Sequence, residues 1–379
     1  MKNITIARQP ITDRKGSLYG HELLYRGNAA SVNQQFDGMR TTLCVIEASL
    51  GVIGLQAVSR QGSYFLNCTT EFLKSPIVDI LPSDRFVLEL LETCELNSLL
   101  FARCEALKAK GFRLALDDVR CRTAAIDEFL PVIDVVKVDW PHVGAEKRCE
   151  LIEHFKERGK VILAEKIETR EDYGEAMRLG CDLFQGYYFC MPEVLSSSAP
   201  RTDLAVVLDV IRKATSGADM REIQRSIERA PALCVQILKF ANAANVGRLN
   251  DRQYTSTLHA LAILGSRRIV HWCVVALYGG ASTVGLDPLV DLACQRATLA
   301  EEYLRRISRC ENEVQSGRLV GLLSLVHVRY GLEKKAFWDS VPVTESVKSA
   351  ILDARGRLGD ALNYALSFEV GSRDHIAPL

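Results

Sequence analysis

The sequence predicts an α/β barrel followed by an all-helical domain, and three observations predict it. Over the first ~190 residues, short β-branched or aromatic runs alternate with segments of helical period. Each run stops at a polar residue that a buried strand would not choose: Glu22, Asn67, Glu89, Asp117 with Asp118, Lys137, Glu165 and Gln185. After Met191 the strand signal fades and helical periods take over.

The runs lie at 18–25, 64–67, 86–89, 113–117, 135–138, 161–165 and 183–187. Strand–helix alternation implies parallel strands, because parallel neighbours need crossover helices. Seven or eight such units suggest a closed barrel rather than an open sheet. Leu43, Ile46, Leu50 and Ile53 share a face of the first helical segment. Leu96, Leu99, Leu100, Arg103 and Leu107 nearly share one in another, with the arginine expected at its edge. From Asn67 to Gln185 the polar strand ends recur every 20–28 residues, about one strand-plus-helix unit. In a parallel barrel the strand C-termini meet at one mouth, so these residues would converge on one site. The plainer reading is that polar residues merely mark where each strand gives way to a loop.

The barrel is expected over residues 1–195, a linker over 196–203 and the helical domain over 204–379. Glu193-Val-Leu-Ser-Ser-Ser-Ala-Pro200 has linker composition. In the last part Ile223, Ile227, Leu233, Ile237, Leu238 and Ala241 fit helix faces, and Pro231 suits a first helical position. Gly265, Gly317 and Gly331 read as helix stops or turns. Residues 269–286 hold no formal charge, but three glycines and several polar residues interrupt them. A buried helix followed by a turn is expected there rather than a membrane span.

Lys plus Arg and Asp plus Glu both number 47, so the formal net charge is zero. That argues against nucleic acid as a partner, which calls for a basic excess or stripe. The twelve cysteines form no Cys-x-x-Cys pair and have no zinc-ligand spacing to histidine. With no apolar run behind the opening MKNITIARQP, they suggest free thiols in a reducing cytoplasm.

Glu22, Asn67, Glu89, Asp117 and Asp118 offer hard oxygen ligands without thiolate or imidazole, a set suited to Mg²⁺ or Mn²⁺. Carboxylates crowded together repel unless cations neutralise them. Two metals about 4 Å apart are the usual device for phosphodiester cleavage. Lys137 would either hold the attacking water or a phosphoryl oxygen, or pair with one of these acids. Arg26 would pair with a phosphate.

These residues sit in a recognisable order. Tyr19-Gly-His-Glu-Leu-Leu-Tyr-Arg26 resembles the signature of EAL-domain cyclic di-GMP phosphodiesterases, with Leu23 where the name-giving alanine stands. Gln9-Pro-Ile11 resembles that family's opening. Phe65-Leu-Asn67, Leu88-Glu-Leu-Leu-Glu92, Leu116-Asp-Asp118, Val136-Lys-Val-Asp139, Ala164-Glu-Lys-Ile-Glu168 and Gln185-Gly-Tyr187 resemble its later motifs in sequence. The resemblance implies a TIM-like barrel with Glu22, Asn67, Glu89 and Asp117 on one metal and Asp118 on another. It implies catalytic roles for Lys137 and Glu165, an arranging role for Gln185, and ligand contacts for Gln9 and Arg26.

Two departures oppose turnover. The family's Phe-Gly-Thr-Gly-Tyr-Ser loop, which permits a tight turn and a dimer contact, is here Val119-Arg-Cys-Arg-Thr-Ala-Ala125, without glycine. Lys166 stands where a glycine normally follows Glu165; its ammonium either competes with a metal or points to solvent. The oligomeric state, including a homodimer, stays open.

In the helical part, Ala230-Pro-Ala-Leu233, Ile237-Leu-Lys-Phe-Ala-Asn-Ala243 and His259-Ala-Leu-Ala-Ile-Leu-Gly265 resemble the HDOD domain. Gly321-Leu-Leu-Ser324 stands where related phosphohydrolases carry a His-Asp metal pair, so no hydrolysis is expected there. His259, His271 and His327 are expected to be core or surface residues. The whole suggests a divergent EAL–HDOD signalling protein with weak or no hydrolysis, acting through cyclic di-GMP and an unknown protein partner of the helical domain. The alternatives are an active phosphodiesterase yielding pGpG and a ligand-free scaffold.

Overall fold

A computed structural model describes residues 2–26, 38–59, 62–199, 204–245, 254–278, 288–329, 333–340 and 343–369. The backbone divides into two compact units, one of residues 1–199 with 242–252 and the other of residues 200–241 and 253–379.

The first unit is a closed barrel. Its strands are β1 (Lys2–Asp13), β2 (Leu18–Tyr25), β3 (Ser63–Cys68), β4 (Phe86–Leu90), β5 (Arg113–Val119), β6 (Val135–Asp139), β7 (Val161–Glu165) and β8 (Leu183–Phe184). A ninth, β9 (Glu193–Ala199), lies beside β1. Strands β2 to β8 are mutually parallel, as the alternation predicts. The closing stave departs from that expectation: β1 runs antiparallel to both β2 and β8.

Antiparallel neighbours need only a tight turn. Asp13 supplies it, its Oδ1 accepting from the backbone N–H groups of Lys15 (2.8 Å) and Ser17 (2.9 Å). The expected linker is also corrected in part. Glu193–Ala199 forms a strand because the edge of β1 offers it a ladder from Arg8↔Glu193 to Lys2↔Ala199. Linker residues 200–203 lie outside the described residues.

The first helices are α1 (Gly38–Ile46) and α2 (Leu55–Val58), and α6 (Ala145–Glu157) joins β6 to β7. Four others begin where a short polar side chain caps them. Thr69 caps α3 (Thr70–Lys74), Asn97 caps α4 (Ser98–Ala109), Thr123 caps α5 (Ala124–Phe129) and Thr169 caps α7 (Arg170–Leu179). Each accepts a hydrogen bond from the backbone N–H three residues on. On α4 the inward face is Leu100, Cys104 and Leu107, whereas Leu99 is 72% exposed. Arg103 is the expected polar edge, donating to the Leu73 (2.6 Å) and Ser75 (3.3 Å) carbonyls.

The barrel interior explains the mouth. Ile11, Phe65, Val87, Ala115, Val135, Leu163 and Leu183 form one buried layer, a residue from each of seven strands. On the parallel strands, two residues further along and therefore on the same face, lie Asn67, Glu89, Asp117, Lys137, Glu165 and Gln185. The mouth residues thus rest on an apolar floor.

The second unit is helical in all its described elements: α8 (Leu204–Thr215), α9 (Met220–Glu228), α10 (Pro231–Asn245), α11 (Thr257–Tyr278), α12 (Pro288–Ile307), α13 (Glu311–Leu323), and four helices from Val326 to Ser367. By length and composition α11 could cross a membrane, with mean hydropathy 1.5. It is broken at Gly265, which takes φ 72°, as expected of a helix stop. The part after the break is largely buried, with Trp272 stacked 5.0 Å from Phe240. Gly279, Gly280, Gly285 and Gly331 lie outside the described residues.

Gly317 is not a stop but sits inside α13. With Gly321 it lets α13 approach α12, since a Cβ at 321 would fall 2.4 Å from the Ala297 backbone nitrogen. Ser324 is buried, donating to the Gly321 carbonyl (2.8 Å) and accepting from Arg296 (3.0 Å). His271 is buried, His259 is exposed beside Tyr254, and His327 is intermediate.

Candidate metal centre

Lys137 stands at the centre of the barrel mouth. Its side chain is almost wholly buried, and Nζ lies 2.6 Å from Glu89 Oε1, 2.7 Å from Asp117 Oδ1, 2.8 Å from Glu165 Oε1 and 3.9 Å from Glu22 Oε2. The internal pairing expected as one reading of Lys137 is therefore present. Four carboxylates from β2, β4, β5 and β7 share one ammonium.

Two amides hold Glu22 in place. Asn67 Nδ2 donates to Oε1 (3.0 Å), and Gln185 Nε2 donates to Oε2 (2.6 Å). Gln185 also donates to Gln9 Oε1 (3.1 Å), which β1 brings opposite Glu22 in register. Glu22 itself is not at a strand end, as expected, but inside β2, which runs on to Tyr25.

Because the Asn67 nitrogen faces Glu22, its oxygen is left over. Asn67 Oδ1, Glu89 Oε2, Glu165 Oε2 and Gln185 Oε1 are buried acceptors without a hydrogen-bond donor. Buried polar atoms normally have partners. Burial pushes the Glu89 and Asp117 carboxyls up, only partly offset by Lys137. Burial likewise raises Glu165, to about 8. Burial works against the Lys137 ammonium, but Asp117, Glu165, Glu22 and Glu89 outweigh it and hold its pKa well above the usual lysine range. This chemistry fits a hard divalent cation: oxygen donors only, excess negative charge and unsatisfied lone pairs.

A second cluster forms the rim. Lys166 Nζ lies 2.6 Å from Asp118 Oδ1 and 3.1 Å from Asp139 Oδ2. Asp139 is buried and also accepts from Arg120 Nε (2.9 Å), and its other oxygen meets His142 Nδ1 at 2.9 Å. Burial opposes the Asp139 charge, yet hydrogen bonds from His142, Lys166 and Arg120 keep it below the usual carboxylate range. Asp118 and Lys166 take φ of 48° and 57°, two of the three non-glycine residues with positive φ among the described residues. Lys166 thus keeps the backbone shape that a glycine would supply there, and its ammonium meets carboxylates rather than pointing away.

Asp139, Arg120 and His142 carry no role in the sequence reading. Asp139 was within reach of it, since it lies two residues after Lys137 and so on the same strand face. Arg26 follows β2 and is exposed, its backbone N–H donating to the Thr5 carbonyl (3.2 Å). Among the described residues its side chain takes no part in either cluster. The loop after Asp118 holds Arg120 on Asp139 and Arg122 on Asp127 (2.7 Å), so its arginines replace glycine turns with ion pairs.

Residues 69–192, within the barrel unit, match the family model of the EAL domain. The chain is 28% identical over 357 residues to an uncharacterised protein, YuxH, of Bacillus subtilis, spanning 92% of this chain and 86% of that one. It is 26% identical over 371 residues to the cyclic di-GMP phosphodiesterase CdgJ of Vibrio cholerae, spanning 96% and 84%. Among solved structures it resembles the manganese and cyclic di-GMP complex of Klebsiella pneumoniae BlrP1, with 21% identity and a TM-score of 0.42. That likeness covers 51% of this chain and 56% of BlrP1, so the chain spans little more than half of that protein.

Proposed function

We propose that this is a cyclic di-GMP signalling protein whose barrel mouth binds the dinucleotide together with Mg²⁺ or Mn²⁺ and hydrolyses it slowly or not at all. The observation that carries this reading is the convergence of Glu22, Glu89, Asp117 and Glu165 around one ammonium, with Asn67 on Glu22 and buried acceptors left over. Glu22, Glu89, Asp117 and the Asn67 oxygen would hold the cation. When bound, such an ion polarises a phosphoryl oxygen and acidifies water. Lys137 stays charged among the acids and offers the mouth a fixed positive charge toward a phosphate. Gln185 and Asn67 orient Glu22, and Gln9 steadies Gln185. Glu165 prefers its proton near neutral pH before any cation enters.

Full phosphodiesterase activity is the second reading. It is favoured by the long match to a relative named for that activity. Against it stands Asp118, whose carboxylate is held by Lys166. For the second unit we propose an HDOD-like module that binds a protein partner. Its support is the resemblance carried by Ala230–Leu233, Ile237–Ala243 and His259–Gly265.

The test is a time course of the full chain with cyclic di-GMP in Mg²⁺ and separately in Mn²⁺, with dinucleotide binding measured alongside. Binding without linear product, lost in Glu22→Ala, supports the first reading. Rapid product formation that depends on Glu22 supports the second, and neither binding nor product refutes both.

A further inference from the structure

The two clusters at the mouth differ in charge. The inner one sets four carboxylates, Glu22, Glu89, Asp117 and Glu165, against the single Lys137 ammonium. The rim sets two carboxylates, Asp118 and Asp139, against Lys166 and Arg120. The rim is therefore neutralised by the chain's own cations, and the inner cluster is not.

The aim of Lys166 is set by backbone rather than by a loose side chain. The neighbouring Ile167 is buried, its N–H donates to the Gln185 carbonyl (3.0 Å), and its carbonyl accepts from Tyr188 (3.0 Å). Gly186 packs against it so closely that a Cβ there would fall 2.1 Å from the Ile167 oxygen. This clamp fixes where residue 166 leaves the strand. From there its positive φ directs the chain past Asp118, whose own φ is also positive. Ligand atoms of Asp117, Asp118 and Glu165 lie within 4.8 Å of one another, close enough to share an ion. Yet Asp118 already meets an ammonium at 2.6 Å.

We propose that Lys166 is a resident counter-cation on Asp118 and that it limits the mouth to one divalent cation, held by the inner carboxylates. This rests on reading the mouth as a divalent-cation site. The ammonium offers a phosphoryl oxygen no coordination site and cannot acidify a bound water as a metal does. A mouth so arranged keeps the means to bind an anionic phosphodiester while lacking the second ion that an in-line displacement uses.

The experiment counts Mn²⁺ bound to the full chain by titration followed with electron paramagnetic resonance. The variants are Lys166→Gly, Lys166→Met and Lys166→Arg. Glycine suits the backbone at this position, and methionine keeps the bulk, so either variant retains the fold. The proposal expects one ion in the wild type and in Lys166→Arg. It expects a second ion, spin-coupled to the first, in Lys166→Gly and Lys166→Met. Two ions in the wild type, or no gain in either neutral variant, would overturn it. A wild-type count of zero overturns the reading of the mouth as a cation site.

Discussion

Two lysines meet carboxylates at the same mouth, and their surroundings give them opposite work. Lys137 is buried on an apolar floor, shared among four acids, and leaves acceptors unsatisfied around it. Lys166 is 43% exposed, and Lys166 with Arg120 matches Asp118 and Asp139 charge for charge. A buried excess of one sign demands a further ion or protons, whereas carboxylates matched by equal numbers of cations do not. On the proposed reading the inner cluster would take up a cation, whereas the rim carboxylates already have the chain's own cations as partners.

The largest expected effect comes from removing the inner ammonium. Lys137→Met leaves the buried acids without their partner, and breaking such a pair costs about 3–5 kcal/mol. Urea unfolding should show that loss in metal-free protein and partial recovery with Mn²⁺. No loss would mean that the inner acids do not depend on Lys137. The next effect sharpens the same contrast from the other side. Glu89→Gln removes one buried acid, so metal-free stability should rise while Mn²⁺ affinity falls at least ~10-fold, by comparison with losses seen for groups further from a metal. Calorimetry and urea unfolding on one variant check both signs.

The pH dependence separates the clusters. Glu165 is raised to about 8, so the folded chain binds a proton that the unfolded chain has released above about 4.3. Metal-free stability should therefore fall as pH rises from about 4.3 toward 8, and Glu165→Gln should flatten that slope. Asp139 is lowered, so its contribution is present above about 3.9 and is lost only as pH falls through its folded value. Asp139→Asn should leave the neutral slope unchanged and remove an acid-side loss. Matching slopes for the two variants would erase the distinction drawn here.

The smallest effect belongs to Lys166→Gly. The Lys166–Asp118 pair is partly exposed and contributes between zero and about 1 kcal/mol, the buried Asp139 keeps Arg120 and His142 when Lys166 is lost, and glycine relieves the positive φ, so stability should hardly change. A loss as large as that of Lys137→Met would show that the rim lysine supports the fold.

Much of this was legible because the barrel repeats one pattern. On β3 to β8 an interior apolar residue is followed two positions later by the mouth residue, and the period of two sends both inward. The parallel staves and most of the inner cluster follow from that. Strand β1 was not legible, since Gln9 and Pro10 interrupt its alternation and its antiparallel course depends on pairing with β2 and β8. Strand β9 was hidden by three serines, which read as linker until the edge of β1 gives them a ladder. The rim was legible only in part: Asp118 was expected at the mouth and Lys166 either on a carboxylate or in solvent, but not which carboxylates it meets. Asp118, Asp139 and Lys166 lie far apart in sequence, and only the closed barrel brings them together.

Anomalous diffraction from crystals of the full chain soaked in Mn²⁺ tests the central claim most directly. The account predicts one manganese peak among Glu22, Asn67, Glu89 and Asp117, with Lys166 still on Asp118. A peak bound to Asp118 with Lys166 displaced, or a manganese-free mouth at saturating Mn²⁺, would contradict it.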